Sequence, residues 1–189
     1  MSPDRTGAFW VVFVYSIFIV AAAVVYALNG RFWGAPLVPV LGYPSQGGPI
    51  AAALIAVGLG AGIFAINAAS TRLAPVRALE HDLAELVRPL MGLGPWPLAL
   101  ASGVAEEWIF RGLLLPFAGL WLQGLIFGLL HWPGNRHLWP WTLWTIGMGW
   151  LLGALTLHFG VLWPAMLTHA MINGLSLTRL WRLAPRTQA

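Results

Sequence analysis

The chain has 189 residues, of which 59% are hydrophobic and only 8% charged, and its mean hydropathy is +0.76. Soluble domains carry about 25% charged residues, so a soluble fold with a large core is excluded; this length supports a single polytopic membrane domain spanning 1–189. The chain lacks cysteine, which excludes disulfides and thiolate metal sites, and its net charge of +4 comes from arginines without any lysine. The pI of about 10.7 could suggest nucleic acid, but the arginines form no basic stripe, so nucleic acid is not an expected partner.

Taken in order, residues 8–28 form an apolar run longer than a signal-peptide core and are read as a first, uncleaved transmembrane helix. Residues 29–49 collect Gly, Pro and Ser and read as a loop at the interface, with Phe32, Trp33 and Tyr43 as its aromatic residues. A second span covers 50–69, and its small residues Gly58, Gly60, Ala61 and Gly62 suit close helix packing in lipid. Residues 71–90 are an amphipathic linker. Leu79, Leu83, Leu86 and Leu90 recur at helical spacing, and the charges between them read as a solvated face on a surface helix.

The third span, 97–115, carries Glu106, Glu107 and Arg111. Each charge at the centre of a bilayer costs about 2.5–3.5 kcal/mol on insertion scales, a heavy penalty for a helix that merely anchors. Pro116 and Gly119 turn the chain, and 120–132 is a short fourth span ending near His131. The fifth span is 141–157, with Gly147, Gly149 and Gly153 expected against close neighbours. The sixth is 161–180, with His169 and Asn173. The expected fold is therefore all-α: an integral membrane bundle of about six transmembrane helices plus one amphipathic surface helix. With the N-terminus inside, eight of the ten arginines fall on the cytoplasmic side, Arg31 alone falls outside, and Arg111 lies within a span. The positive-inside rule then places both termini in the cytoplasm of a multi-pass protein, read as one of a prokaryotic cytoplasmic membrane.

Glu107 and Arg111, Phe127 and His131, and His169 and Asn173 are each four residues apart, so each pair shares a helix face. At 1.5 Å per residue, Glu106 lies about 15 Å from the turn at Pro116, His131 about 18 Å from Gly119 and His169 about 14 Å from Gly160. All three turns are on the outer side, so the polar residues can meet at one level. Ser102 has no obvious base on its face. Carboxylate and imidazole remain as acid–base groups: an ionised Glu with a His can deprotonate a water, and His and Asn can donate to an oxyanion. That equipment suffices for peptide hydrolysis without a covalent intermediate.

The ordered set Glu-Glu-Trp-Ile-Phe-Arg-Gly (106–112), Phe-Gly-Leu-Leu-His (127–131) and Gly-Val-Leu-Trp-Pro-Ala-Met-Leu-Thr-His-Ala-Met-Ile-Asn (160–173) resembles the CPBP family, the CAAX proteases and bacteriocin-processing enzymes also called Abi. The resemblance covers about 97–175. It implies an intramembrane glutamic endopeptidase with no required cofactor. Glu106 and His131 would activate the water, Glu107 and Arg111 would support that carboxylate, His169 and Asn173 would form the oxyanion site, and Phe127 would shape the pocket. The implied partners are the bilayer and a membrane-associated peptide or protein substrate, including C-terminal or lipid-modified segments. The family's prenyl-protein members cleave after a lipidated cysteine, whereas many prokaryotic relatives act in bacteriocin maturation or immunity, peptide signalling or removal of sorting anchors. Nothing in 1–94 chooses among these.

Three alternatives stand beside it. A catalytically idle scaffold or regulator of the same family gives no reason to keep both glutamates. A zinc site from Glu106, His131 and His169 is chemically adequate, but leaves Asn173 and Arg111 without a role. A proton-coupled transporter would be expected to show an inverted repeat, and none is evident.

Overall fold

A computed structural model describes residues 3–28, 48–90 and 92–183, and every element among them is helical. The expected interfacial loop and Arg186 lie outside the described residues. The helices are α1 (Pro3–Leu28), α2 (Pro49–Ser70), α3 (Ala74–Val87), α4 (Pro95–Glu107), α5 (Leu115–Leu130), α6 (Trp139–Phe159) and α7 (Trp163–Leu183). Pro49, Pro75 and Pro95 or Pro97 sit in the first turns of α2, α3 and α4, where a missing N–H leaves no ladder bond unmade.

Three stretches among the described residues are long and apolar enough to cross a membrane: Pro49–Ser70, Pro95–Leu130 and Arg136–Phe159. The second of these is folded rather than straight. Gly119 adopts φ 69° and ψ 174°, a conformation that only glycine enters cheaply, and the helix breaks there. Arg111 and Phe127 stand eight residues either side of it, and the guanidinium lies 4.4 Å from the Phe127 ring centroid, so the chain doubles back at Gly119.

α7 packs on both α2 and α4, α5 packs on α6, and α1 lies along α4. Trp108, Leu162 and Met166 form one buried cluster, joined by Ile19 and Ala23 of α1. Ala52, Leu152, Leu155, Phe159 and Ala165 form another. Outside these clusters, large side chains such as Phe13, Leu54, Phe117, Trp121 and Leu130 are exposed. Apolar exposure on this scale is unsuited to water and suits a bundle whose outer surface meets lipid. The chain is an all-α membrane protein.

Closest packing falls where small residues face one another. A Cβ at Gly128 would lie 2.1 Å from Ile146 Cγ1, and one at Gly149 would lie 2.8 Å from the Gly124 backbone. Gly124-x-x-x-Gly128 thus lets α5 and α6 approach backbone to backbone. Gly153 and Gly60 are close-packed as expected, but Gly58, Gly62 and Gly147 face open space, because the helices turn those positions away from their neighbours. The amphipathic segment also departs from expectation in two places. Leu86 is exposed, and Glu80 is half-buried and receives Arg179 Nε and Nη2 of α7, with Nη2 also donating to Thr71 Oγ1 at 3.1 Å.

Candidate active site

The site is assembled from α4 and the segment following it, α5, α7 and, unexpectedly, α1. Glu106 and Glu107 close α4, and the next residues, Trp108–Leu114, wind as a π-helix. The Leu115 N–H donates to the Phe110 carbonyl, five residues back. Pro116, lacking an N–H, sits where α5 starts. Such π segments cluster at functional sites, and this one carries Arg111.

Arg111 and Glu107 are fully buried. Arg111 Nη1 donates to Glu107 Oε1 at 3.0 Å, and Nη2 donates to the Gly149 carbonyl at 3.2 Å. Gln123 Nε2 donates to the same carbonyl at 2.9 Å, which ties α5 and α6 to the ion pair. The Phe127 ring lies under the guanidinium and touches the His131 ring, with centroids 4.5 Å apart, so it separates the cation from the imidazole.

His169 Nδ1 stands 2.7 Å from Glu107 Oε1. The pair Glu107–Arg111 therefore supports His169, not Glu106 as expected. Helical geometry accounts for this: successive residues point about 100° apart, so the two glutamates serve different neighbours.

Glu106 faces the other way. Its Oε2 lies 3.5 Å from His131 Nε2 and 3.8 Å from His169 Nε2, and it has no hydrogen-bond partner among the described residues. Its Oε1 accepts from the Tyr15 hydroxyl at 2.6 Å.

The tautomers follow from the partners. His131 Nδ1 lies 2.7 Å from the Phe127 carbonyl, which can only accept, so Nδ1 carries the proton. His169 Nδ1 faces an arginine-paired carboxylate and likewise donates. Both Nε2 atoms are then left to face Glu106 Oε2, and three polar atoms converge on one small volume. The side chain of His131 is 28% exposed and that of Glu106 only 9%, so access is from the His131 side.

Asn173 Nδ2 donates to Ser102 Oγ at 3.0 Å, and Ser102 Oγ donates to the Ala99 carbonyl at 3.2 Å. Ser102, passed over in the sequence for want of a base, is thus a hydrogen-bond anchor for Asn173. Tyr15, Gln123 and Ser102 share one signal that reading missed: each is an isolated polar side chain inside an apolar span, where an unpaired polar group is costly. His137 and His158 stay outside the site; His158 is exposed and its ring lies against Phe159. For the zinc alternative, no group of three or more His, Cys, Asp or Glu among the described residues has the arrangement of metal ligands.

Comparison with known proteins falls on this same segment. Residues 93–175 match the family model described as "Type II CAAX prenyl endopeptidase Rce1-like". A 78-residue stretch is 37% identical to the uncharacterized protein YpbD of Bacillus subtilis (strain 168); it covers 40% of this chain and 40% of that relative, so the chain matches less than half of the relative's length. No solved structure is significantly similar. The ordered Glu-Glu-x-x-x-Arg, Phe-x-x-x-His and His-x-x-x-Asn motifs all fall within 93–175, so this segment, rather than the whole chain, is what resembles the CAAX-endopeptidase family model.

Proposed function

We propose that the protein is an intramembrane endopeptidase that hydrolyses a peptide bond of a membrane-associated substrate with water activated by Glu106 and His131. The observation that carries the reading is the placement of His131 Nε2 and His169 Nε2 at 3.5 and 3.8 Å from the same carboxylate oxygen, Glu106 Oε2. A water among them donates one proton to Glu106 Oε2 and the other to His131 Nε2, which leaves its lone pair for the scissile carbonyl carbon. As the C–O bond forms, the proton passes to this pair, which returns it to the leaving amine as the C–N bond breaks.

His169, held at Nδ1 by the Glu107 carboxylate, presents Nε2 to the carbonyl oxygen and donates to it when that nitrogen carries a proton. Asn173, one turn further along α7, contributes its second N–H while Ser102 holds the amide.

The reaction draws on no bound metal; activity that survives chelation supports this, and its loss on chelation revives the zinc reading. Six spans with both termini cytoplasmic remain the topology favoured by the arginine distribution. The substrate class best suited to the family is a C-terminal, lipid-modified segment. The test is cleavage of a fluorogenic farnesylated peptide ending in Cys-aliphatic-aliphatic-X by the protein in proteoliposomes. Glu106→Ala and His131→Ala should each lower turnover by about 10²–10⁴-fold while the proteins still insert. Wild-type-like cleavage by both variants refutes the mechanism.

A further inference from the structure

We infer that Tyr15, on a helix outside the family-matched segment, is a positioning residue of the active site: its hydroxyl fixes Glu106 so that one carboxylate oxygen, Oε2, faces the two imidazoles. This deepens the peptidase reading and rests on it.

The terminal torsion of a glutamate is broad and roughly two-fold, so a buried carboxylate with no partner presents either oxygen in a range of orientations. Water activation needs one oxygen held still. The phenol donates to Oε1 at 2.6 Å, in the range of a charge-assisted O–H···O⁻ bond, and a carboxylate can only accept there. Oε2 is left to His131 Nε2 and His169 Nε2. These three side chains are the titratable groups that meet the Glu106 carboxylate.

The donor is held in place by α1 itself. Tyr15, Ile19 and Ala23 recur at i, i+4 and i+8 and so share one face, and Ile19 and Ala23 pack against Trp108, Leu162 and Met166. Trp108 lies two residues beyond Glu106. The same stripe of α1 thus grips the segment after α4 and delivers the hydroxyl to the carboxylate one helical turn earlier. Packing alone would be served by Phe at position 15; only the hydroxyl gives Oε1 a partner.

Two readouts on the full chain in proteoliposomes test this. The first is labelling of Glu106 by dicyclohexylcarbodiimide, which attacks protonated carboxyls in apolar surroundings, with the adduct located by mass spectrometry and Glu106→Gln as the control that removes it. Loss of a donor to the charged form favours the protonated form, so Tyr15→Phe should label several-fold faster than wild type. The second is turnover of the farnesylated peptide: Tyr15→Phe should lower kcat about 10- to 100-fold with KM unchanged. Val20→Ala, on the exposed face of α1 away from that stripe, should match wild type in labelling and in kcat. Equal labelling of Tyr15→Phe and wild type overturns the inference, as does a Val20→Ala variant that reproduces both effects. If the wild type fails to cleave the peptide while the labelling difference persists, the peptidase reading falls and the Tyr15–Glu106 link stands.

Discussion

Removing Arg111 should damage the fold more than the loss of one surface ion pair ever could. Its guanidinium is fully buried, donates to Glu107 Oε1 at 3.0 Å and to the Gly149 carbonyl at 3.2 Å, and lies 4.4 Å from the Phe127 centroid. Arg111→Leu leaves the Glu107 carboxylate buried with His169 Nδ1 as its remaining partner. Deleting one member of a buried pair costs about 3–5 kcal/mol, chiefly because the other charge is left uncompensated, whereas replacing both by apolar groups is often neutral. Arg111→Leu/Glu107→Leu should therefore recover most of the loss. It should retain a deficit of about 1–2 kcal/mol, since His169 Nδ1 and the Gly149 carbonyl each lose a partner. The assay is equilibrium unfolding of the purified protein in mixed micelles, with the two single variants and the double variant closing a thermodynamic cycle. A coupling energy of at least about 2 kcal/mol is expected. A single variant that loses less than about 1 kcal/mol, or a double variant no more stable than Arg111→Leu, refutes the account. The double variant should be stable yet inactive, because His169 loses the carboxylate that holds its proton on Nδ1.

The remaining predictions concern packing and the oxyanion side. Gly128→Ala places a Cβ 2.1 Å from Ile146 Cγ1 and 2.6 Å from the Ile146 backbone nitrogen, and should destabilise by about 1–3 kcal/mol in the same unfolding assay. Gly147→Ala meets nothing within 4 Å and should be neutral or stabilise by up to about 1 kcal/mol; reversal of this order would mean that α5 and α6 do not pack through Gly124 and Gly128. Ser102→Ala removes the acceptor that holds Asn173 and should lower kcat on the farnesylated peptide several-fold, by about the worth of one hydrogen bond. Unchanged kcat would show that the Asn173 orientation does not depend on Ser102.

The convergence of Glu106, His131 and His169 could be anticipated because membrane helices are regular rulers. Fixed rise per residue converts sequence distance from a turn into depth, and the cost of charge in lipid drives polar side chains towards one another. The turn at Gly119 was marked in the same way, by Pro116 and Gly119 in an apolar run. Pairing within the site was not legible. Glu106 and Glu107 are adjacent in sequence, and only the rotation of α4 against α7 assigns Glu107 to His169 and leaves Glu106 Oε2 for His131. Glu80 looked like one charge on a solvated face until Arg179, 99 residues away, was placed beside it.

The sequence by itself determined that this is an all-α membrane protein, that the chain breaks near Gly119, and which residues carry the ordered Glu, His and Asn motifs. Those properties depend on local composition, periodicity and the energetics of apolar segments, all of which are written along one chain. The tertiary structure decided which oxygen of Glu106 is free, which histidine the buried ion pair serves, and that Ser102 holds Asn173. It also brought Tyr15 of α1 to a carboxylate 91 residues away. A hydrogen bond of that kind depends on the relative rotation of two packed helices to within an ångström, and no periodicity in the sequence encodes that angle.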